Sequence, residues 1–143
     1  PSKPEASIFS FRLIVFGGRN DFSREVFNKT MVGYVVETSQ GGAVEWKEHT
    51  VSGDIPPPRY NHATQLIGRN MYLFGGWTNL LYAPPSNYIN KLQVRNAIFY
   101  NDLYSLNIDT MHWTKIETFG IPPSPRCQVS MLFMPKRDHT GRE

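Results

Sequence analysis

The sequence has little cysteine: Cys127 is the only one in 143 residues, so no disulfide forms within the chain and the fold rests on packing. A lone thiol points to a reducing compartment, and the cytoplasm is expected, with the nucleus as the other setting. The triplet Asn28-Lys29-Thr30 is a glycosylation acceptor, which matters only to a secreted chain. No apolar run approaches the ~18 residues of a membrane helix, so no membrane partner is expected. No stretch of useful length repeats its apolar residues at the helical period. Pro1-Ser2-Lys3-Pro4-Glu5 has neither an initiator Met nor a signal-peptide pattern, and the true start is expected upstream.

Charge of one sign is also scarce, at a formal net +3. Lys136, Arg137, His139 and Arg142 cluster, but Asp138 and Glu143 sit among them and no aromatic ring interleaves. A solvated turn accounts for that, and nucleic acid is not expected as a partner. His49, His62, His112 and His139 show no metal-ligand spacing and no cysteine beside them. There is no Gly-x-Ser-x-Gly elbow and no Gly-x-x-x-x-Gly-Lys loop. The expectation is therefore no catalytic residue, no metal and no cofactor within the chain.

What is present is a repeat. Ala63 to Gly76 reads as a hairpin: Leu66-Ile67, the turn Gly68-Arg69-Asn70, then Met71 to Phe74 ending in Gly75-Gly76. Leu13-Ile14-Val15-Phe16-Gly17-Gly18 ends the same way. Trp46 precedes Arg59 by 13 residues, and Trp113 precedes Arg126 by 13. Gly53 and Gly120 each follow their tryptophan by 7. By contrast, 28 residues separate Gly18 from Trp46 and 37 separate Gly76 from Trp113. Fixed strands with one variable loop describe a repeat architecture. Met31 to Thr38, Val44 to Val51, Asn101 to Ile108, His112 to Thr118 and Val129 to Met134 also read as strands. The proline connections 53–59 and 120–126 belong on the surface. Runs apolar on both faces, such as Leu13 to Phe16, suit strands buried between two sheets. The fold class is all-β, of four-stranded sheets stacked face to face.

Pro58-Arg59-Tyr60-Asn61-His62, Leu73-Phe74-Gly75-Gly76, Asn101-Asp102-Leu103-Tyr104-Ser105-Leu106 and Trp113-Thr114 together resemble the kelch repeat. The resemblance spans nearly the whole chain. It implies a partial kelch-type β-propeller of four-stranded antiparallel blades: 1–52 an incomplete first blade, 53–118 a complete blade with a long loop at 77–100, and 119–143 the start of a third. The family often has an aromatic where Leu106 stands, and Cys127 and Val129 replace the Tyr60 and His62 of the complete unit. The doublet glycines are expected where blades crowd together, and Trp46 and Trp113 are expected to be buried between blades. A closed propeller takes about 4–8 blades. Further blades of a longer chain, or self-association of copies, are therefore expected.

Kelch propellers serve as protein-interaction modules, so the resemblance implies a protein or peptide partner bound by rim loops. The alternative is a targeting or regulatory region of a larger enzyme, such as a kelch-containing phosphatase or a ubiquitin-ligase adaptor. The loop 77–100 is long enough to be functional and holds Trp77, Tyr82, Tyr88, Arg95 and Tyr100, residue types that dominate binding hot spots. Folding back over its own blade is the other reading of that loop. Arg59 joins the candidates as a rim arginine for an acidic ligand; its structural reading is a bond to backbone carbonyls of an adjacent blade. Asp102 reads as a short polar residue ending a loop, and His62 as a partner of a neighbouring turn.

Overall fold

In a computed structural model of the chain, residues 12–39, 41–79 and 97–135 are described. Ten strands and no helix make up the described residues: β1 (Arg12–Phe16), β2 (Thr30–Thr38), β3 (Gly41–Glu48), β4 (Ser52–Gly53), β5 (Ala63–Ile67), β6 (Asn70–Phe74), β7 (Trp77–Asn79), β8 (Ala97–Phe99), β9 (Leu103–Asn107) and β10 (His112–Ile116). The first sheet has the order β1-β2-β3 and the second β4-β10-β9-β6-β5, while β7 and β8 form a small hairpin. All pairings are antiparallel except β4 with β10.

Side chains alternate across a strand, and in the second sheet one face is the core. Met71, Leu106 and Trp113 stand side by side in register, with Leu73 beside Tyr104. They pack against Phe16 and Val32 of the first sheet, with Ile14 and Tyr34 alongside. The Phe16 ring meets the Trp113 indole edge-on at 5.0 Å. Trp113 Nε1 donates to Thr30 Oγ1 at 3.4 Å, so the one polar atom of this buried indole is partnered.

The units are sewn together at the glycine doublets. Gly18 N–H donates to the Arg59 carbonyl and Arg59 N–H to the Phe27 carbonyl; Gly76 N–H donates to the Arg126 carbonyl and Arg126 N–H to the Tyr100 carbonyl. The same stitch is thus made twice. Gly17 and Gly75 have φ of +67° and +71°. A Cβ on Gly17 would lie 2.5 Å from the Arg59 carbonyl oxygen, and one on Gly75 2.8 Å from that of Arg126. Only glycine allows both the angle and the approach.

The structure corrects three expectations. Trp46 is 46% exposed whereas Trp113 is fully buried. Trp113 is covered by the sheet that precedes its own, and among the described residues no sheet precedes β1-β2-β3 to cover Trp46. Leu13 and Val15 are exposed on the same open face. Trp46 lies over Gly33, whose Cβ would sit 3.0 Å from the indole; the residue at the matching register position beside Trp113 is Leu106. Second, Val129 to Met134 forms no strand, and Leu132, Phe133 and Met134 are exposed, because no paired strand stands beside them among the described residues. Third, β3 occupies Gly41–Glu48 rather than 44–51, because it pairs along the full length of β2 up to Thr38↔Gly41.

Candidate binding rim

The glycine doublets lie at one end of the two sheets and the hairpin turn Gly68-Arg69 at the other. From the doublet end each unit projects a hairpin. In the first unit Gly18 pairs with Phe27 and Arg19 with Val26. The Asn20 side chain accepts from the N–H groups of Phe22 and Ser23, at 2.9 and 3.1 Å. That local turn holds Phe22 out in solvent, fully exposed. In the second unit Gly76 pairs with Tyr100 and the hairpin continues as β7-β8, with Trp77 opposite Phe99. This hairpin carries residues 80–96.

Tyr60 ties the two hairpins together. Its backbone exchanges two hydrogen bonds of 3.0 Å with Trp77. Its hydroxyl accepts from Arg19 Nη1 at 3.0 Å, and the Arg19 guanidinium lies 4.9 Å from its ring centre. The Trp77 ring lies 4.5 Å from that of Tyr60, tilted by 43°, and Phe99 stacks on Trp77 at 5.7 Å with the rings 11° apart. The result is a continuous ladder, Arg19–Tyr60–Trp77–Phe99. Asp21 holds Arg19 in place by hydrogen bonds, which lower the Asp21 pKa and raise that of Arg19.

Beneath the ladder lies Arg59, fully buried. Its guanidinium donates to the carbonyls of Pro57 and Gly75, at 3.2 and 3.0 Å, and to both Asp102 oxygens, at 2.6 and 3.1 Å. The Tyr100 ring centre is 4.0 Å away. A planar five-donor fork suits this set, and an ammonium does not. Arg59 as a ligand-binding rim arginine is therefore corrected: its donors face inward and a carboxylate of the chain already occupies them. The carbonyls it bonds belong to its own unit rather than an adjacent one, and Asp102 is its counter-ion rather than only a loop end. Deleting one partner of such a buried pair costs about 3–5 kcal/mol.

His62 also departs from expectation. Its ring sits edge-on to Phe16 across the seam, 5.9 Å between centroids, and its buried Nδ1 has no partner among the described residues. Burial first, and the Arg59 charge second, push its pKa down to about 4. Trp77 Nε1 and Thr78 Oγ1, at the root of the β7-β8 hairpin, are likewise buried without a partner among the described residues.

Of the sequence-predicted site residues, Trp77 is a rung of the ladder and Tyr100 a half-buried support under Arg59. Tyr82, Tyr88 and Arg95 lie outside the described residues. The sequence reading counts Phe99 among the aromatic residues of the 77–100 loop but misses Arg19 and Phe22. The correspondence between the pairs Gly18–Phe27 and Gly76–Tyr100 is hidden by the unequal loops, and Arg19 meets Tyr60 only through the fold. The opposite end is polar where described: Arg69 pairs with Asp109, whose pKa is lowered chiefly by that hydrogen bond. Among the described residues no cluster of His, Cys, Asp or Glu is placed to hold a metal.

Antiparallel sheets of one repeating pattern, joined by a glycine–arginine stitch and bearing a variable hairpin at one end, define a propeller-type repeat protein. Residues 4–139 match the family model described as the KLHDC2/KLHL20/DRC7 Kelch-repeats domain, and the chain belongs to the kelch-repeat family. It is similar to a Rho GTPase-activating protein, gacHH, of Dictyostelium discoideum, 32% identical over 80% of this chain and 6% of that protein. It is 31% identical to Kelch domain-containing protein 3 of Bos taurus, over 77% of this chain and 23% of that one. Dynein regulatory complex subunit 7 of Chlamydomonas reinhardtii is 30% identical, over 85% of this chain and 9% of its own length. The chain thus spans less than a quarter of each of these relatives.

Proposed function

We propose that this chain is a protein-interaction module that holds a protein or peptide partner at its doublet end. One observation carries the reading: two hairpins, braced by the Arg19–Tyr60–Trp77–Phe99 ladder, present exposed Phe22 and Phe99 on a rigid base. Aromatic anchors on a rigid support are the usual centre of a binding hot spot. The contact residues are Phe22 and Phe99, with Tyr82, Tyr88 and Arg95 from the segment the second hairpin carries. Trp77 and Tyr100 act from below, and Arg59 positions them. Family membership supports the reading, because kelch repeats are generally interaction modules.

The test compares the proteins cross-linked in cells to wild type, to Phe22→Ser/Phe99→Ser, to Tyr82→Ala/Tyr88→Ala and to Arg69→Ala. A partner lost with the first two variants and kept by Arg69→Ala, at unchanged melting temperature, is the expected result. A partner kept by all, or one lost with Arg69→Ala alone, removes the proposal. If Tyr82→Ala/Tyr88→Ala instead melts early, that segment covers its own blade.

A second reading places the module as the targeting region of a larger enzyme. It is favoured by the Rho GTPase-activating relative, of which this stretch matches only 6%. The full open reading frame separates the two. In either case we place the protein in the cytoplasm or nucleus, as the single cysteine suggests.

A further inference from the structure

The stitch at the glycine doublets is made twice, but a titratable ring stands at only one of the two. Asn61 and Gln128 share a left-handed backbone, with φ of 55° and 54°, so Arg59-Tyr60-Asn61-His62 and Arg126-Cys127-Gln128-Val129 follow the same path. Each path ends on a side chain set against a doublet. A Cβ on Gly17 would lie 3.5 Å from His62 Cε1, and one on Gly75 3.8 Å from Val129 Cγ2. His62 thus plugs the first stitch as Val129 plugs the second. The contacts that make the first stitch are few: Gly18 N–H to the Arg59 carbonyl at 2.9 Å, Arg59 N–H to the Phe27 carbonyl at 3.2 Å, the Arg19–Tyr60 brace and the His62–Phe16 ring contact. The core around Trp113 joins the sheets separately, between their strands.

The buried Nδ1 of His62 has no partner among the described residues. On a neutral ring it rests as a bare acceptor. On an imidazolium it becomes a donor with nothing to accept it, on a ring that now carries a charge. The surrounding groups offer that charge no relief. From its own segment Arg59 brings a second cation, and the Asp102 carboxylate is already taken up by the Arg59 fork. From β1 and the doublets come Phe16, Gly17 and Gly76, none of them titratable. The other charged groups at this stitch, Arg19 with Asp21 and Lys29 with Glu48, are paired with each other. We infer that acid opens the first stitch and leaves the second closed, lifting the Gly18–Phe27 hairpin off Arg59 and Tyr60. His62 is then hydrated and protonated, and Phe22 loses its rigid base. Burial holds the imidazole neutral down to about pH 4, whereas an opened His62 takes up its proton near pH ~6.5. The open form therefore binds one more proton between those values, and opening gains up to about tenfold per pH unit. That a partner leaves with the hairpin rests on the function proposed above; the opening itself does not.

Amide hydrogen exchange followed by NMR from about pH 7 to about pH 4 tests this without a partner, in the chain itself and in His62→Val, which copies the second stitch. Protection is taken relative to the intrinsic exchange rate at each pH. In wild type the Gly18 and Arg59 amides are less protected than those of β6, and they lose protection by up to about tenfold per unit as pH falls from ~6.5 to ~4. The Gly76 and Arg126 amides of the second stitch hold theirs. In His62→Val the Gly18 and Arg59 amides hold theirs as well. A Gly18 amide as protected as those of β6 would mean that the stitch opens only with the whole fold, and overturns the proposal. Equal losses at Gly18 and Gly76 overturn it, as does an unchanged slope in His62→Val. Should that variant fail to fold, the wild-type contrast between Gly18 and Gly76 decides alone. A partner that stays bound in acid while Gly18 opens supports the switch and counts against the rim as the binding site.

Discussion

His62 shows what a single buried side chain does at the seam. It is neutral when folded, with a pKa near 4 set by burial and by Arg59, and near 6.5 when unfolded. Between those values the unfolded chain binds the extra proton, so stability is full above pH ~6.5 and falls as pH falls toward ~4. The loss amounts to at most about 3 kcal/mol. Urea titrations at a series of pH values should show this slope for wild type and lose it in His62→Phe. An equal slope in the variant would place the titration elsewhere. Arg59 and Asp102 illustrate the limit of reading residues from sequence. Their types mark them as polar and special, but a pair 43 positions apart becomes a pair only when β9 lies beside β6.

At the scale of the strand and hairpin, most of the second unit was legible in sequence. Short β-prone runs bounded by turn residues, Met71 to Phe74 and Asn101 to Ile108, place β6 and β9, while the choice of buried face is set by the sheet that packs on them. What was not legible was set by neighbours. Leu13, Val15 and Trp46 have the residue types of a core, and they are exposed because the sheet that would cover them is not among the described residues. β4 has only two residues and no pattern, and it exists because β10 offers it an edge. Phe22 and Phe99 look like ordinary apolar residues of loops until the Asn20 turn places the first and the ladder the second. The two tryptophans should therefore respond differently to truncation. Trp113→Ala removes the centre of the core and is expected to cost about 3–5 kcal/mol. Trp46→Ala is expected to cost less than about 1.5 kcal/mol. Chemical denaturation of both variants checks this, and equal losses would mean that the first sheet is covered as deeply as the second.

For the whole molecule, stacking one sheet on the next does two things. It buries Trp113, and it brings the two doublet-end hairpins close enough for Arg19 to reach Tyr60. The rim thus depends on the seam, since a first sheet not held on the second would leave the ladder without its first rung. The measurement that tests this most directly is a double-mutant cycle across the seam, with Phe16→Leu and Trp113→Phe made singly and together and stability read by denaturant unfolding. Direct packing of the two rings predicts a coupling energy of about 0.5–1.5 kcal/mol. Losses that add within about 0.3 kcal/mol would mean that the rings do not touch, and would contradict both the stacked fold and the rim built on it.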